Sequence, residues 1–173
     1  NTAFTYACIP NNEILIFREE EWFKVFIHET FHSYGLDFVP LSNQINKTIN
    51  KIFNLNLNYD ITESWCETWA RIFNVIITSY FKNNNFNEYN KFKLCVNSNM
   101  KSEVIYSVLQ MSKILKFYNV NFEKTMKGIE TNNYKESSAV FSYYVLTSLN
   151  LVFINDLFSW CKQNNDPLFY FST

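Results

Sequence analysis

The stretch "EEEWFKVFIHETFHSYGLDF", residues 19–38, decides how the chain is read. Apolar residues recur at helical spacing from Glu19 to about Tyr34, three acidic residues stand where a helix N-terminus favours them, and Gly35 stands where a left-handed residue ends a helix. The stretch predicts a helix. It also contains both histidines of the chain, His28 and His32, four positions apart, with Glu29 directly after the first. Residues at that spacing share one helix face about 6 Å apart along the axis, so the two imidazoles can aim at one point. Val25 and Leu36 share the face and Trp22 is close by, which gives any ligand atoms dry surroundings. His28-Glu29-Thr30-Phe31-His32 is the H-E-x-x-H pattern, two histidines for zinc with the glutamate as general base.

Upstream, "TAFTYACI" (2–9) and "EILIFR" (13–18) alternate as short strands do, and Pro10-Asn11-Asn12 closes them into a hairpin. Downstream, Ser42 can cap a shorter helix through about Phe53. Thr62 can cap a long one from Glu63 to about Lys82, ended by the Asn run at 83–85. Segments near 86–96, 100–118, 136–149 and 150–163 also carry apolar residues at helical spacing, with Asn, Gly and Ser between them. With 173 residues, 47% hydrophobic and 18% charged, the chain has enough apolar surface for one packed domain over 1–173. The expected fold class is α+β, mostly α: a small N-terminal β-hairpin followed by a helical bundle.

The formal net charge is -1 and the charges are scattered, so there is no basic face for nucleic acid and no polybasic segment for anionic lipid. No apolar run of about 18 residues is present to span a membrane. The N-terminus has neither a basic start followed by an apolar stretch nor an initiator Met, and the chain reads as an excised domain or a processed piece. Cys8, Cys66, Cys95 and Cys161 are far apart with no C-x-x-C pair, so they read as buried free thiols. A single Asn46-Lys47-Thr48 sequon does not outweigh a cytoplasmic expectation. Abundant Asn, Ile, Lys, Phe and Tyr suggest the codon bias of an AT-rich genome.

A catalytic zinc takes three protein ligands and keeps a fourth position for water. In one continuation of H-E-x-x-H the third ligand is a His ten residues after the first, but that position is Phe38, and Asp37 is one residue out of register. The other source is "YDITESWCETWARIFN" (59–74), where Glu63 and Glu67 fall on one helical stripe with Ala70, Asn74, Ile77 and Phe81. A carboxylate carried into a core needs a positive partner, which zinc and its histidines would supply. A pair of partly exposed helix-start glutamates favoured by the macrodipole is the plainer account. Glu63 is the better ligand, and Glu67 can accept the outer N–H of a ligating histidine; the exchange of these roles stays open.

The H-E-x-x-H followed on a later helix by Glu63-x-x-x-Glu67 resembles the gluzincin class of zinc metallopeptidases. There, a downstream E-x-x-x-D supplies the third ligand and a carboxylate behind the ligands. "HETFHSYGLDF" (28–38) and "ESWCETWA" (63–70) are similar to uncharacterised metallopeptidase-like proteins of giant DNA viruses, which implies a cytoplasmic or virion-associated protein. The chain departs from the class in having Glu67 in place of Asp and a longer gap between His32 and Glu63. The resemblance implies a zinc cofactor, a peptide or protein substrate, and hydrolysis by a zinc-activated water with Glu29 as general base.

It also implies a donor for the oxyanion, Tyr or His in this class. With no histidine left, Tyr144 is expected first, because "SSAVFSYYVLTSLN" (137–150) places it on an apolar stripe with Val140, Phe141, Val145 and Leu149. Tyr143, further round the helix, comes second, and Tyr59 third. "EILIFR" would be the sheet edge that holds an extended substrate, although an ordinary hairpin strand accounts for it equally well. Two other readings stand beside this one. The chain could be a gluzincin-like structural or interaction module without activity, part of a larger viral protein. It could also be a helical domain without metal, in which Glu63 and Glu67 face solvent.

Overall fold

The computed structural model describes residues 2–37, 43–53, 55, 57, 59–82, 88–127 and 134–165. The fold is mostly α with one small sheet. Strands β1 (Ala3–Thr5) and β2 (Ile14–Ile16) are antiparallel, with Ala3 opposite Ile16 and Thr5 opposite Ile14. In the connection, Cys8 and Asn11 adopt left-handed backbone, and the Asn12 amide donates to Tyr6 O and, at 2.8 Å, to Thr5 Oγ1. That side chain also reaches Ser33 Oγ (3.3 Å), while Cys8 N–H donates to Ser33 O (3.1 Å). The hairpin is thereby fastened to the last turn of helix α1 (Trp22–Ser33), supplying a donor to a carbonyl that the helix leaves unpaired.

Helix α1 starts at Trp22, three residues later than the acidic run suggests. Glu19 accepts from Trp22 N–H in a turn (3.3 Å), Arg18 pairs with Glu20 and Glu21, and Lys24 pairs with Glu21. At the other end Gly35 has φ +64, its N–H bonds to His32 O (3.1 Å), and Leu36 N–H bonds to Phe31 O (2.9 Å). This is a Schellman turn. Its apolar contact is present too, because Leu36 packs on the cluster that contains Phe31. The turn folds the chain back so that Asp37 lies against the last turn of α1.

The remaining elements are α2 (Asn43–Phe53), α3 (Ile61–Lys82), α4 (Tyr89–Phe117), α5 (Phe122–Met126), a π-helical segment (Phe141–Leu146), α6 (Thr147–Val152) and α7 (Ile154–Asn164). Helix α3 is the centre of the fold, packed by α1, α4, the π segment and α6. Its Trp65, Cys66, Trp69 and Ile72 form one core with Phe31 and Leu151. A second core joins Phe53 and Tyr59 to Leu115, Phe141 and Val145. Asn150 on α6 donates to Thr68 Oγ1 (3.1 Å) and Ser64 Oγ (3.3 Å), so these two buried hydroxyls of α3 have a partner on α6.

Three expectations are corrected. The segments 86–96 and 100–118 belong largely to one helix, α4, which continues through Asn97-Ser98-Asn99. Asn99 donates to Ser79 Oγ on α3 (2.8 Å) and Ser102 Oγ to Ser98 O (3.3 Å); with these polar groups satisfied and no Gly or Pro present, nothing stops the helix. The segment 136–149 becomes helical only near Val140 and then runs as a π-helix, with Glu136 accepting from Phe141 N–H (2.7 Å). Of the four cysteines, all free, Cys66 and Cys161 are buried, but Cys8 is exposed in the surface loop of the hairpin. Among the described residues, no helix is long and apolar enough to cross a membrane. Phe38, the Ser42 cap and the Asn run at 83–85 lie outside the described residues.

Candidate metal centre

His28 and His32 project from α1 toward the first turns of α3, and their Nε2 atoms lie 3.1 Å apart. Glu63, in the first turn of α3, completes a triangle: Oε2 is 3.3 Å from His28 Nε2 and Oε1 is 3.5 Å from His32 Nε2. Each imidazole is held from behind by a different carboxylate. His28 Nδ1 lies 3.2 Å from Glu67 Oε2, and His32 Nδ1 lies 2.5 Å from Asp37 Oδ2. Cys66 Sγ sits 3.8 Å from the same nitrogen of His32.

Glu67 is completely buried and is not left unpartnered. Its Oε1 receives Arg71 Nε (2.7 Å) and Lys24 Nζ (2.8 Å), leaving Oε2 for His28. Arg71 in turn binds Glu103 on α4 (2.7 Å). Burial pushes the Glu67 carboxyl up, but the His28 hydrogen bond and the charges of Lys24 and Arg71 overcome this and hold it well below the usual range. Glu63 behaves likewise: burial raises it, and the bonds from His28 and His32 bring it down to about 2. Both histidines respond in the opposite sense. Burial lowers them, but Glu63 and Glu67 raise His28, and Asp37, Cys66 and Glu63 raise His32. The Cys66 thiol, deep in the core, is pushed up to about 12.

The donor set tests whether a cation belongs here. With each Nδ1 donating to a carboxylate, each Nε2 presents a lone pair, and two lone pairs and a carboxylate then face one another across 3.1–3.5 Å. That arrangement is repulsive until a proton or a metal cation sits among them. Ligands at about 2.0–2.1 Å in a tetrahedron around zinc are separated by about 3.3–3.4 Å, which these distances bracket. The three residues fit zinc. The exposed-glutamate reading of α3 does not survive for Glu67, and Glu63 has a side chain only 31% accessible.

A cavity of about 400 Å³ opens on this triangle, lined by Glu29, Glu67, Tyr143 and residues of β1 besides the three donors. Burial also raises the Glu29 carboxyl, against the pull of the histidine charges. A larger cleft of about 1320 Å³ shares Thr2, Glu63 and Tyr143 with the cavity. The strand bordering the cavity is β1, where "EILIFR" of β2 was expected, because β2 is the partner strand of the pair.

The tyrosines are placed differently from the helical-wheel expectation. Tyr143 stands at the cavity, its ring centre 6.1 Å from that of His28 and its hydroxyl accepting from Lys24 Nζ (3.1 Å). Tyr144 lines only the larger cleft of the two. A π turn takes more residues than an α turn, so each residue advances less around the axis and the faces drawn on an α-helical wheel drift along the segment. Tyr59 is buried in the core with Phe53 and Phe141, away from the histidines. The stripe drawn through Glu63 and Glu67 is fully buried at Glu67 and Ala70 but exposed at its end, Phe81, and Trp22 on α1 faces solvent.

Asp37, Lys24 and Arg71 were not assigned roles from the sequence. Lys24 lies one turn before His28 and Arg71 one turn after Glu67, spacings that could have drawn attention to both. Asp37 needed the Gly35 turn to bring it back. No family profile, curated protein or solved structure matches this chain, so the reading rests on its own residues.

Proposed function

We propose that this protein is a zinc-dependent hydrolase of peptide bonds, with His28, His32 and Glu63 as the metal ligands. One observation carries the reading: three donor groups converge within 3.1–3.5 Å while a carboxylate stands behind each imidazole at Nδ1, the nitrogen away from the triangle. A zinc ion bound there supplies Lewis acidity, lowering the pKa of a water toward about 7 and polarising a carbonyl. Glu29 borders the same cavity and takes the proton of the attacking water, then passes it to the leaving amine. The Tyr143 hydroxyl donates to the carbonyl oxygen as that atom gains negative charge. Strand β1 lines the cavity, and its edge away from β2 offers main-chain groups to an extended peptide. The H-E-x-x-H helix followed by Glu63 and Glu67 on a later helix supports grouping the chain with the gluzincins.

Native mass spectrometry on wild type and Glu63→Ala, followed by cleavage of a peptide library with Glu29→Gln as control, tests the proposal. One zinc per wild-type chain, weakened binding in Glu63→Ala and cleavage lost in Glu29→Gln are expected. Equal zinc binding by Glu63→Ala refutes this ligand set. Zinc binding with no peptide cleaved overturns the peptidase and leaves a metal-holding structural or interaction module.

A further inference from the structure

We propose that Lys24 is a positioning residue shared by both halves of this site, orienting His28 through Glu67 and aiming the hydroxyl of Tyr143. The inference rests on the function proposed above for what the two halves do. Lys24 is on α1 one turn before His28, and its side chain is only 12% accessible. An ammonium has three N–H donors. Two of them have acceptors here, Glu67 Oε1 at 2.8 Å and Tyr143 Oη at 3.1 Å, and the charge also pairs with Glu21 Oε2 at 3.3 Å. The lysine thus joins α1, α3 and the π segment at one atom.

The geometry at Glu67 shows how this reaches the metal ligand. A carboxylate can rotate about its terminal bond, but here one oxygen is held by two cations, Lys24 and Arg71. The other oxygen is therefore fixed in direction, and it is the one that meets His28 Nδ1 (3.2 Å). Fixing that acceptor fixes which ring nitrogen carries hydrogen and how the ring is turned. Arg71 does not take both roles of Lys24: its other hydrogen bond goes to Glu103 and its guanidinium lies over Tyr106. It anchors Glu67 to α4, whereas Lys24 reaches both Glu67 and Tyr143.

At Tyr143, Lys24 donates to the phenol oxygen, so the phenol hydrogen is turned toward another acceptor. In a substrate complex, the carbonyl oxygen can be that acceptor.

The test compares wild type with Lys24→Met, which keeps most of the apolar stem. The chain has only two histidines, and His32 is held by Asp37 without contact to Lys24, so it serves as an internal control for imidazole NMR. In the metal-free variant the hydrogen-bonded Nδ1–H resonance of His28 is expected to vanish or broaden while that of His32 stays. The zinc Kd, measured by competition with a chromophoric chelator, rises about tenfold, as for other groups behind a metal ligand. On a cleaved peptide, kcat falls with little change in KM. An unchanged His28 resonance together with an unchanged zinc Kd overturns the inference. If wild type binds no zinc, the proposed function falls and the resonance alone decides: its loss supports the role of Lys24, and its persistence refutes it. Should Lys24→Met not fold, Lys24→Leu, which likewise has no N–H donor, is read by the same criteria.

Discussion

Replacing Gly35 by Ala probes the joint that places Asp37 behind His32. Gly35 has φ +64, and an L-residue in left-handed backbone costs about 1–2 kcal/mol. A Cβ at this position would also lie 2.5 Å from Cys8 Sγ, so that sulfur must shift. Moving one side chain off its rotamer costs about 0.5–1.5 kcal/mol. The two parts together come to about 1.5–3.5 kcal/mol. For a chain of this size each kcal/mol lowers Tm by about 2–4 °C, so a fall of about 3–14 °C is expected by calorimetry. Repeating the substitution in Cys8→Ala separates the parts, because the sulfur is gone while the Cys8 backbone bond to Ser33 can persist. There the cost should shrink to the backbone part, about 1–2 kcal/mol. A loss of equal size in both backgrounds refutes the contact with Cys8, and no loss in either refutes the Schellman turn.

Other substitutions test separate features of the fold and the centre. Glu67→Gln leaves Lys24 and Arg71 facing a neutral group in the core, and urea unfolding should show about 3–5 kcal/mol of lost stability; a loss under about 1 kcal/mol would contradict the buried network. Tyr59→Phe removes a buried hydroxyl with no hydrogen-bond partner among the described residues, and should raise stability by about 1 kcal/mol at neutral pH. Burial and the Glu136 charge hold the Tyr59 phenol above its ordinary value of 10.0, so its contribution is complete below that pH and lost as pH rises through the folded value. Tyr59→Phe should accordingly flatten the fall in stability above pH about 10, and an unchanged slope would count against the burial of that hydroxyl. Zinc at about 100 times its Kd should add about 2.7 kcal/mol, so stripping it with a chelator lowers Tm by about 5–11 °C; a Tm indifferent to chelator would speak against the centre.

Much of the fold was legible because local rules decided it. The spacing from Val25 to His32 is that of a helix face, Gly35 stands just past the end of α1 where positive φ is required, and the alternation around Pro10-Asn11-Asn12 gives the hairpin. The helical wheel failed where its assumption failed. It treats each residue as advancing equally, and the π-helical turn at Phe141–Leu146 breaks that rule at the residues where the choice between Tyr143 and Tyr144 depends on it. The Asn97-Ser98-Asn99 break failed for a different reason: local preference was outweighed by a tertiary bond to Ser79.

The site divides along the same line. Two histidines four residues apart on a helix must present their rings together, so the spacing alone pairs His28 with His32. What stands behind them is not written in any local pattern. Lys24 meets Glu67 across 43 positions of sequence and Tyr143 across 119, and its spacing from His28 points to neither partner. Only the packing of α3 and the π segment over α1 turns its ammonium inward. Glu67 tolerates complete burial through the same packing: its charge is met by two cations and an imidazole contributed from two helices. A sequence change that kept H-E-x-x-H and Glu63 but removed Lys24 or Arg71 would leave every motif residue in place. It would still loosen the centre, since the direction of the His28 ring is set by the carboxylate that those two cations hold.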